Sequence, residues 1–528
     1  MVGRVVVVLT VLSGMSALSG QEPIEVGDRL QLLWDDAVVD TARTTATRVL
    51  HRPEYAGDVM TCGSRWEGDS CGFFNILTDE DEGVVLYRMY YIAWNVGKEP
   101  NKPSPFASGR RVCYAESRDG IVWTKPNLGI CTFGKKTENN IIVDCEKFNL
   151  EVIDNFMVMK DPRPSCPPAE RYKAVSLDFR RDEKKRPHAD GLACFVSPDG
   201  IHFSRGWKLG GVGPRSGVRG DTLNCVFFEP RLNKFVLYGR GLHTATNGSK
   251  REGKEGVRDI RRTESSDFRT WSRPESIRFA ADAEDYALYT NMVEPYFREP
   301  SVYTGLPTRY VENPAWTDAF TGLCGVEARR RRMKDAPRYG LALTDCVFMS
   351  SRDGRTFERC DEAFLTPGPE RPFAWVYGDC YPARGIVLTP GRRGVDPEMS
   401  FYVPFGQWFG QAAKLERFCL RQDGFISRHG AYRPQTLVTK PLVFAGDRML
   451  LNFATSARGS VTVTVRSADG KAIVSEPFFG DKVDREVLFK GGTLAAFAGR
   501  TATVEFVLSD ADVYSFRFTK TSPKSDAR

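Results

Sequence analysis

The chain has 528 residues, 41% of them hydrophobic and 12% aromatic, so it can bury a sizeable core and exceeds one small domain. Its 74 Lys and Arg against 67 Asp and Glu leave a formal charge of +7, too dilute over so large a surface to argue for nucleic acid. Five histidines, with no Cys-x-x-Cys pair and no Cys/His cluster at zinc spacing, exclude a dedicated transition-metal site.

In chain order, residues 1–20 read as a secretory leader: Arg4, the apolar run Val5 to Leu12, then the small residues Ala17, Ser19 and Gly20. The expected destination is therefore secreted or periplasmic, and no later run is apolar for long enough to span a membrane. Residues 25–53, with Leu30 to Asp36, are expected to supply the strand that closes a ring of repeats. The repeats are marked by a phrase Ser-x-Asp-x-x-x-aromatic, written at Ser117–Trp123, Ser197–Phe203, Ser265–Trp271 and Ser351–Phe357, at intervals of roughly 70 to 85 residues. Ser and Asp side chains bond nearby amides and Gly accepts positive φ, so each copy reads as a turn whose aromatic is a buried peg.

Ahead of each turn lies an apolar strand, a polar hairpin and an aromatic-rich strand: Phe73–Leu77 with Leu86–Trp94, Asn155–Met159 with Arg171–Leu177, Thr222–Phe228 with Phe235–Arg240, and Leu288–Tyr296 with Ser301–Tyr303. A fifth pair, Val376–Leu388 and Met399–Val403, lacks the turn phrase. Helix signals are nearly absent. The fold class is all-β, a five-bladed β-propeller over residues 21–422. From 423 to 520 period-two alternation, as in Ser460–Arg466 and Thr503–Leu508, predicts a β-sandwich, and 521–528 is a polar tail. The basic run Arg329–Arg332 falls in a loop-like stretch between blades and reads as solvated. Of thirteen cysteines, Cys62 with Cys71 and Cys346 with Cys360 are near enough in sequence to pair.

The turn phrase resembles the Asp-box of sialidase-type propellers, without that motif's Gly-x-Thr before the Trp. Leader, five blades and sandwich, together with Trp66-Glu67-Gly68, Asp221-Thr222-Leu223-Asn224 and the run Leu420 to Phe425, resemble the clan of glycoside hydrolase families 32, 43 and 68 over nearly the whole chain. The Trp-x-Asn-Asp-Pro-Asn phrase and the Glu-Cys pair of family 32 are not found. The resemblance implies an exported glycosidase acting on an oligo- or polysaccharide. A non-catalytic carbohydrate-binding propeller is the alternative. No cofactor is required, and acidic turns and carbonyls could hold a structural calcium at the propeller axis.

Glycoside hydrolysis needs one carboxylic acid and one carboxylate roughly 5 to 9.5 Å apart. Acids at the starts of inner strands can meet in a propeller funnel, which selects Glu67, Asp69, Asp154, Asp221, Asp285 and Asp379. Asp221 is expected as the acid, Glu67, beside the ring of Trp66, as base or nucleophile, and Asp154 as the orienting carboxylate. Asp161, in Lys160-Asp161-Pro162, falls in a hairpin at the place of Asp79 and Glu229 and reads as a turn former. Arg240, Arg258, Arg261 and Trp375 are candidate sugar contacts, and arginines meeting in the funnel would favour an acidic sugar.

Overall fold

The four turn phrases close by one set of hydrogen bonds. Ser117 Oγ donates to Asp119 Oδ1 at 3.0 Å and accepts from the Gly120 amide, while Asp119 Oδ1 also accepts the amides of Ile121 and Val122 at 2.8 Å. Ser and Asp repeat this at 197/199, 265/267 and 351/353. The turns also latch blade to blade. The hydroxyls of Tyr402, Tyr90 and Tyr238 donate to the carbonyls of Gly120, Gly200 and Gly354, and the pegs Trp123, Phe203 and Phe357 meet the same tyrosines edge-on. At Gly200 φ is +79° and a Cβ would stand 2.9 Å from the Tyr90 hydroxyl, so glycine is required twice over. In the third turn Phe268 replaces glycine at φ 63°. Its ring packs with Val175 of the preceding blade in one apolar cluster.

The computed structural model describes residues 22–81, 83–95, 109–148, 150, 153–181, 187–213, 216–244, 256–409 and 411–521. The leader assigned to residues 1–20 lies outside them, as does the tail beyond 521. Five four-layered blades follow in order. Blade one is Ser70–Asp81, Val84–Trp94, Arg111–Ser117 and Ile141–Asp144. Blade two is Ile153–Lys160, Tyr172–Arg181, Pro187–Ser197 and Ser204–Lys208. Blade three is Cys225–Glu229, Lys234–His243, Val257–Ser265 and Glu275–Ser276. Blade four is Glu294–Tyr296, Glu299–Gly305 continued by Thr308–Glu312, Ala342–Ser351 and Glu358–Leu365. Blade five is Val387–Thr389, Glu398–Phe405, Ala413–Arg421 and, from the start of the chain, Glu54–Cys62.

That last strand closes the ring, which corrects the expectation that residues 25–53 do so. Residues 24–50 instead give strands Ile24–Gly27, Gln31–Leu32 and Thr47–Leu50, which pair with Leu442–Phe444, Thr501–Thr519 and Ile426–Gly430. Their apolar residues Val26, Leu33, Val38 and Val39 are buried in the core of the β-sandwich, which outweighs their nearness in sequence to blade one. The chain accordingly divides into one compact unit of Leu50–Phe425 and a second made of the segment before Leu50 with Ile426 onward. In the second unit two long strands, Arg448–Ser467 and Thr501–Thr519, run antiparallel and curl at bulges. Phe444, Phe453, Phe506, Phe516 and Phe518 fill its core.

Two further expectations are corrected. Arg329–Arg332 belong to a helix, Val326–Met333, within an insert of blade four rather than to a solvated loop between blades. Arg329 is wholly buried because its guanidinium donates to the carbonyls of Gly340 and Trp375. All thirteen cysteines are free thiols. The hairpin register sets Cys346 opposite Leu365 and Met349 opposite Arg359, which leaves Cys346 and Cys360 on different rungs. Cys62 and Cys71 are both buried free thiols, and Cys71 Sγ donates to the Glu67 carbonyl at 3.7 Å. Among the described residues no helix is long and apolar enough to cross a membrane.

Candidate active site

In every blade the second strand ends, and the third begins, at the same mouth of the ring where the next inner strand starts. Side chains from these points form a closed circuit through all five blades. Asp154 opens the inner strand of blade two, and its Oδ2 is 2.6 Å from Arg110 Nη1 of blade one. Arg110 lies over Trp94, 5.7 Å from the ring centroid, and Trp94 meets Trp408 of blade five at 5.0 Å. Trp408 contacts Tyr377 at 5.7 Å, whose hydroxyl is 2.6 Å from that of Tyr289 at the entry to blade four. Arg240 of blade three lies 4.0 Å over Tyr289, donates to its carbonyl at 2.6 Å, and pairs with Asp221 at 3.0 Å. Asp221 lies near enough to Asp154 for its charge to be felt there, the one link of the circuit that is not a direct contact.

Its two carboxylates differ in surroundings. Asp154 is 7% exposed, and its Oδ1 has no hydrogen-bond partner among the described residues. Burial pushes its carboxyl above the usual range, Arg110 opposes this, and the nearby Asp221 adds to it. The Asp221 side chain is 48% exposed and open to the funnel. Tyr289, Tyr377 and Tyr381 form a buried aromatic cluster with the half-buried Trp408, and beside it a buried acid and an open carboxylate can exchange a proton with a bound sugar. Backbone strain collects at the same mouth: Phe73, Asn155, Met292, Trp375 and Cys380 all have φ between 49° and 60°.

Of the residues expected from sequence, Asp154, Asp221 and Arg240 are thus brought together, and Arg258 borders them over the rings of Tyr289 and Tyr310. The others are not. Glu67 is wholly buried, and its oxygens accept from Lys125 Nζ at 2.7 and 2.9 Å, Tyr91 Oη at 2.6 Å and the Ser64 amide at 2.8 Å. It has no acceptor position left for a substrate, which argues against a catalytic part. Trp66 donates to Asn140 and packs on the core between blades five and one, so it is no sugar platform for Glu67. Trp375 is tied down by its indole to Gly368 O and by its carbonyl to Arg329. Arg261 is spent on Asp259 and the Leu242 carbonyl. Asp285 faces a separate cavity of about 290 Å³, bonded to His243 Nε2 at 2.9 Å. Asp379 lines another of about 370 Å³, and burial pushes its carboxyl up to about 7. Asp69 stands at the entry to blade one, one residue before Ser70, whose Oγ accepts the Trp408 amide. Asp161 lies at the opposite mouth. There burial is outweighed by Arg163 and Lys173, which hold its carboxyl at about 2.

Sequence reasoning missed Arg110, Trp94, Trp408 and the tyrosine cluster. Trp94 and Trp408 sit where second strands end, and that recurring position was the available signal. Among the described residues no three His, Cys, Asp or Glu side chains are grouped to hold a metal. Near the axis, the guanidinium of Arg384 donates to Val158 O while its backbone bonds Phe74 and Ile76 of blade one.

No protein-family model and no curated protein matches the chain. Solved structures similar to it include an N-acetylgalactosamine deacetylase from F. plautii in complex with blood group B trisaccharide, at 12% identity and a TM-score of 0.42 over 70% of this chain and 95% of that one. A GH32 beta-fructofuranosidase of Bombyx mori is similar at 9% identity and a TM-score of 0.38, over 89% and 95%. An exo-beta-1,3-galactanase from Phanerochaete chrysosporium is similar at 9% and 0.33, over 87% and 99%.

Proposed function

We propose that the protein is an exported glycoside hydrolase whose chemistry takes place at the five-blade funnel, with an oligo- or polysaccharide as substrate. The observation that carries this reading is a buried carboxyl, raised by its surroundings, near an open carboxylate from the next blade and beside a cluster of aromatic rings. Asp154 is the general acid: its proton passes to the glycosidic oxygen as the bond to the anomeric carbon breaks. Asp221 is the base or nucleophile, aligned by Arg240. These roles exchange those expected from sequence, because burial raises the Asp154 carboxyl whereas the Asp221 side chain is open to solvent. Asp69, and not Glu67, is the blade-one carboxylate to test beside them. Export rests on the leader-like residues 1–20.

The test is hydrolysis of a panel of nitrophenyl glycosides and natural polysaccharides by the mature protein and by Asp154→Asn and Asp221→Asn. Loss of at least a hundredfold in both variants, with unchanged melting, supports the assignment. Full activity in both would move the chemistry elsewhere. Glycan binding without hydrolysis of any substrate would replace this reading with a binding propeller.

A further inference from the structure

The funnel's polar atoms are lopsided in kind. Around the circuit, Trp94 Nε1, Trp408 Nε1 and Arg240 Nε are buried and without a hydrogen-bond partner among the described residues. All three can only donate. Tyr381 Oη is in the same state and can donate as well. The unpartnered acceptors at this mouth are Asp154 Oδ1 and Asn155 Oδ1, the latter beside its own unpartnered Nδ2. Buried groups of this kind need a partner, and because donors predominate, a ligand rich in acceptor oxygens answers most of the set.

A fixed charge stands beside them. Arg338, from the helical insert of blade four, lies with its guanidinium 5.1 Å over Tyr339 and 5.8 Å over Tyr377. Its hydrogen bond is to the Tyr339 hydroxyl at 3.5 Å, and among the described residues no carboxylate is within ion-pair distance of it. Held between rings, a planar guanidinium keeps its charge and presents its edge, the arrangement that suits a carboxylate or sulfate. Arg110 and Arg240 are matched by Asp154 and Asp221, which leaves Arg338 as a positive charge beside the circuit with no carboxylate partner among the described residues.

We infer that the funnel takes an anionic glycan, one whose sugar carries a carboxylate or a sulfate ester, and that Arg338 recognises the anionic group. This rests on the glycan reading of the funnel and goes beyond it by naming the substrate class.

The test separates the two readings by measuring binding apart from hydrolysis. Isothermal titration of the full-length Asp221→Asn protein would use matched oligosaccharides, one neutral, one uronate and one sulfated. At least tenfold tighter binding of one anionic ligand over the neutral one is expected, with the ratio falling towards one in Arg338→Gln and on raising NaCl from about 0.05 to 0.5 M. Which anionic ligand gains shows whether carboxylate or sulfate is the group. Arg338→Lys, which keeps charge but loses the planar edge, should retain part of the ratio and guards against a folding defect in Arg338→Gln. Equal, salt-independent binding of neutral and anionic ligands would overturn this inference and leave the hydrolase reading standing. Absence of binding to all three would overturn both.

Discussion

Two buried carboxyls in this chain take opposite routes to tolerating burial. The Glu67 carboxylate is held by Lys125 and two other donors, the Tyr91 hydroxyl and the Ser64 amide, so replacing it with a neutral amide strands the ammonium. Glu67→Gln should destabilise the propeller by about 3 kcal/mol while leaving turnover per folded molecule unchanged, and Glu67→Gln with Lys125→Met should recover part of the loss; urea titrations of the four proteins check this. Asp379 is instead pushed from an ordinary 3.8 up to about 7 by burial, against the amides of Val376 and Trp375 and the charges of Arg371 and Arg329. The folded protein then holds a proton that the unfolded chain releases above about pH 4, so stability falls as pH rises between 3.8 and about 7 and is level above that. Three pH units at about 1.4 kcal/mol each put the full effect near 4 kcal/mol. Asp379→Asn should match the parent near pH 4 and exceed it at pH 8, by equilibrium unfolding at both; a constant difference across that range would contradict the assignment. Why Glu67 looked catalytic is plain at this scale. Sequence shows Trp66 and Glu67 side by side, but the partner that fills Glu67's lone pairs is Lys125, brought in by the fold from the far side of a turn.

At the scale of the element, the turn phrase was legible because its chemistry is local: Ser and Asp bond amides two and three residues on, whatever surrounds them. The strand pairs ahead of each phrase were legible for a similar reason, since period and hairpin composition act over a few residues. The helix Val326–Met333 was not, because its residues are mostly charged and it is held by two distant carbonyl acceptors of Arg329 rather than by an apolar stripe. Trp94, Arg110 and Trp408 share no sequence phrase, so the recurring place of Trp94 and Trp408 after second strands was the one sign that they belong together. The turns themselves make a prediction. Replacing Asp119, Asp199 or Asp353 by Ala removes two amide acceptors and should cost about 1–2 kcal/mol each. Because the turns stand in different blades, Asp119→Ala and Asp353→Ala together should sum to within about 0.5 kcal/mol. The melting of single and double variants measures this, and a double loss well beyond the sum would mean that opening one latch loosens the ring.

For the whole molecule, the order of pairing differs from the order of the chain. The strand Glu54–Cys62 completes blade five against Ala413–Arg421, so the ring is closed by joining the two ends of one compact unit, and the edge of Ala413–Arg421 is covered. The segment before it is spent in the other unit, where Val26, Leu33, Val38 and Val39 belong to the core. A propeller whose closure lies wholly inside residues 50–425 should fold by itself, with one cooperative melt and retained glycan binding. Starting instead at residue 63 removes the closing strand, exposes the edge of Ala413–Arg421 and should lower the melting temperature sharply or cause aggregation. The second unit makes the reciprocal case. Residues 426–528 alone lack three paired strands and part of their apolar core, so they should aggregate when expressed alone and become monomeric when residues 22–49 are co-expressed as a separate chain. Size exclusion and circular dichroism of these pieces decide it: a well-folded 426–528 without its N-terminal partner would show that the long strands Arg448–Ser467 and Thr501–Thr519 suffice, and that the first strands are an addition to the sandwich rather than a part of it.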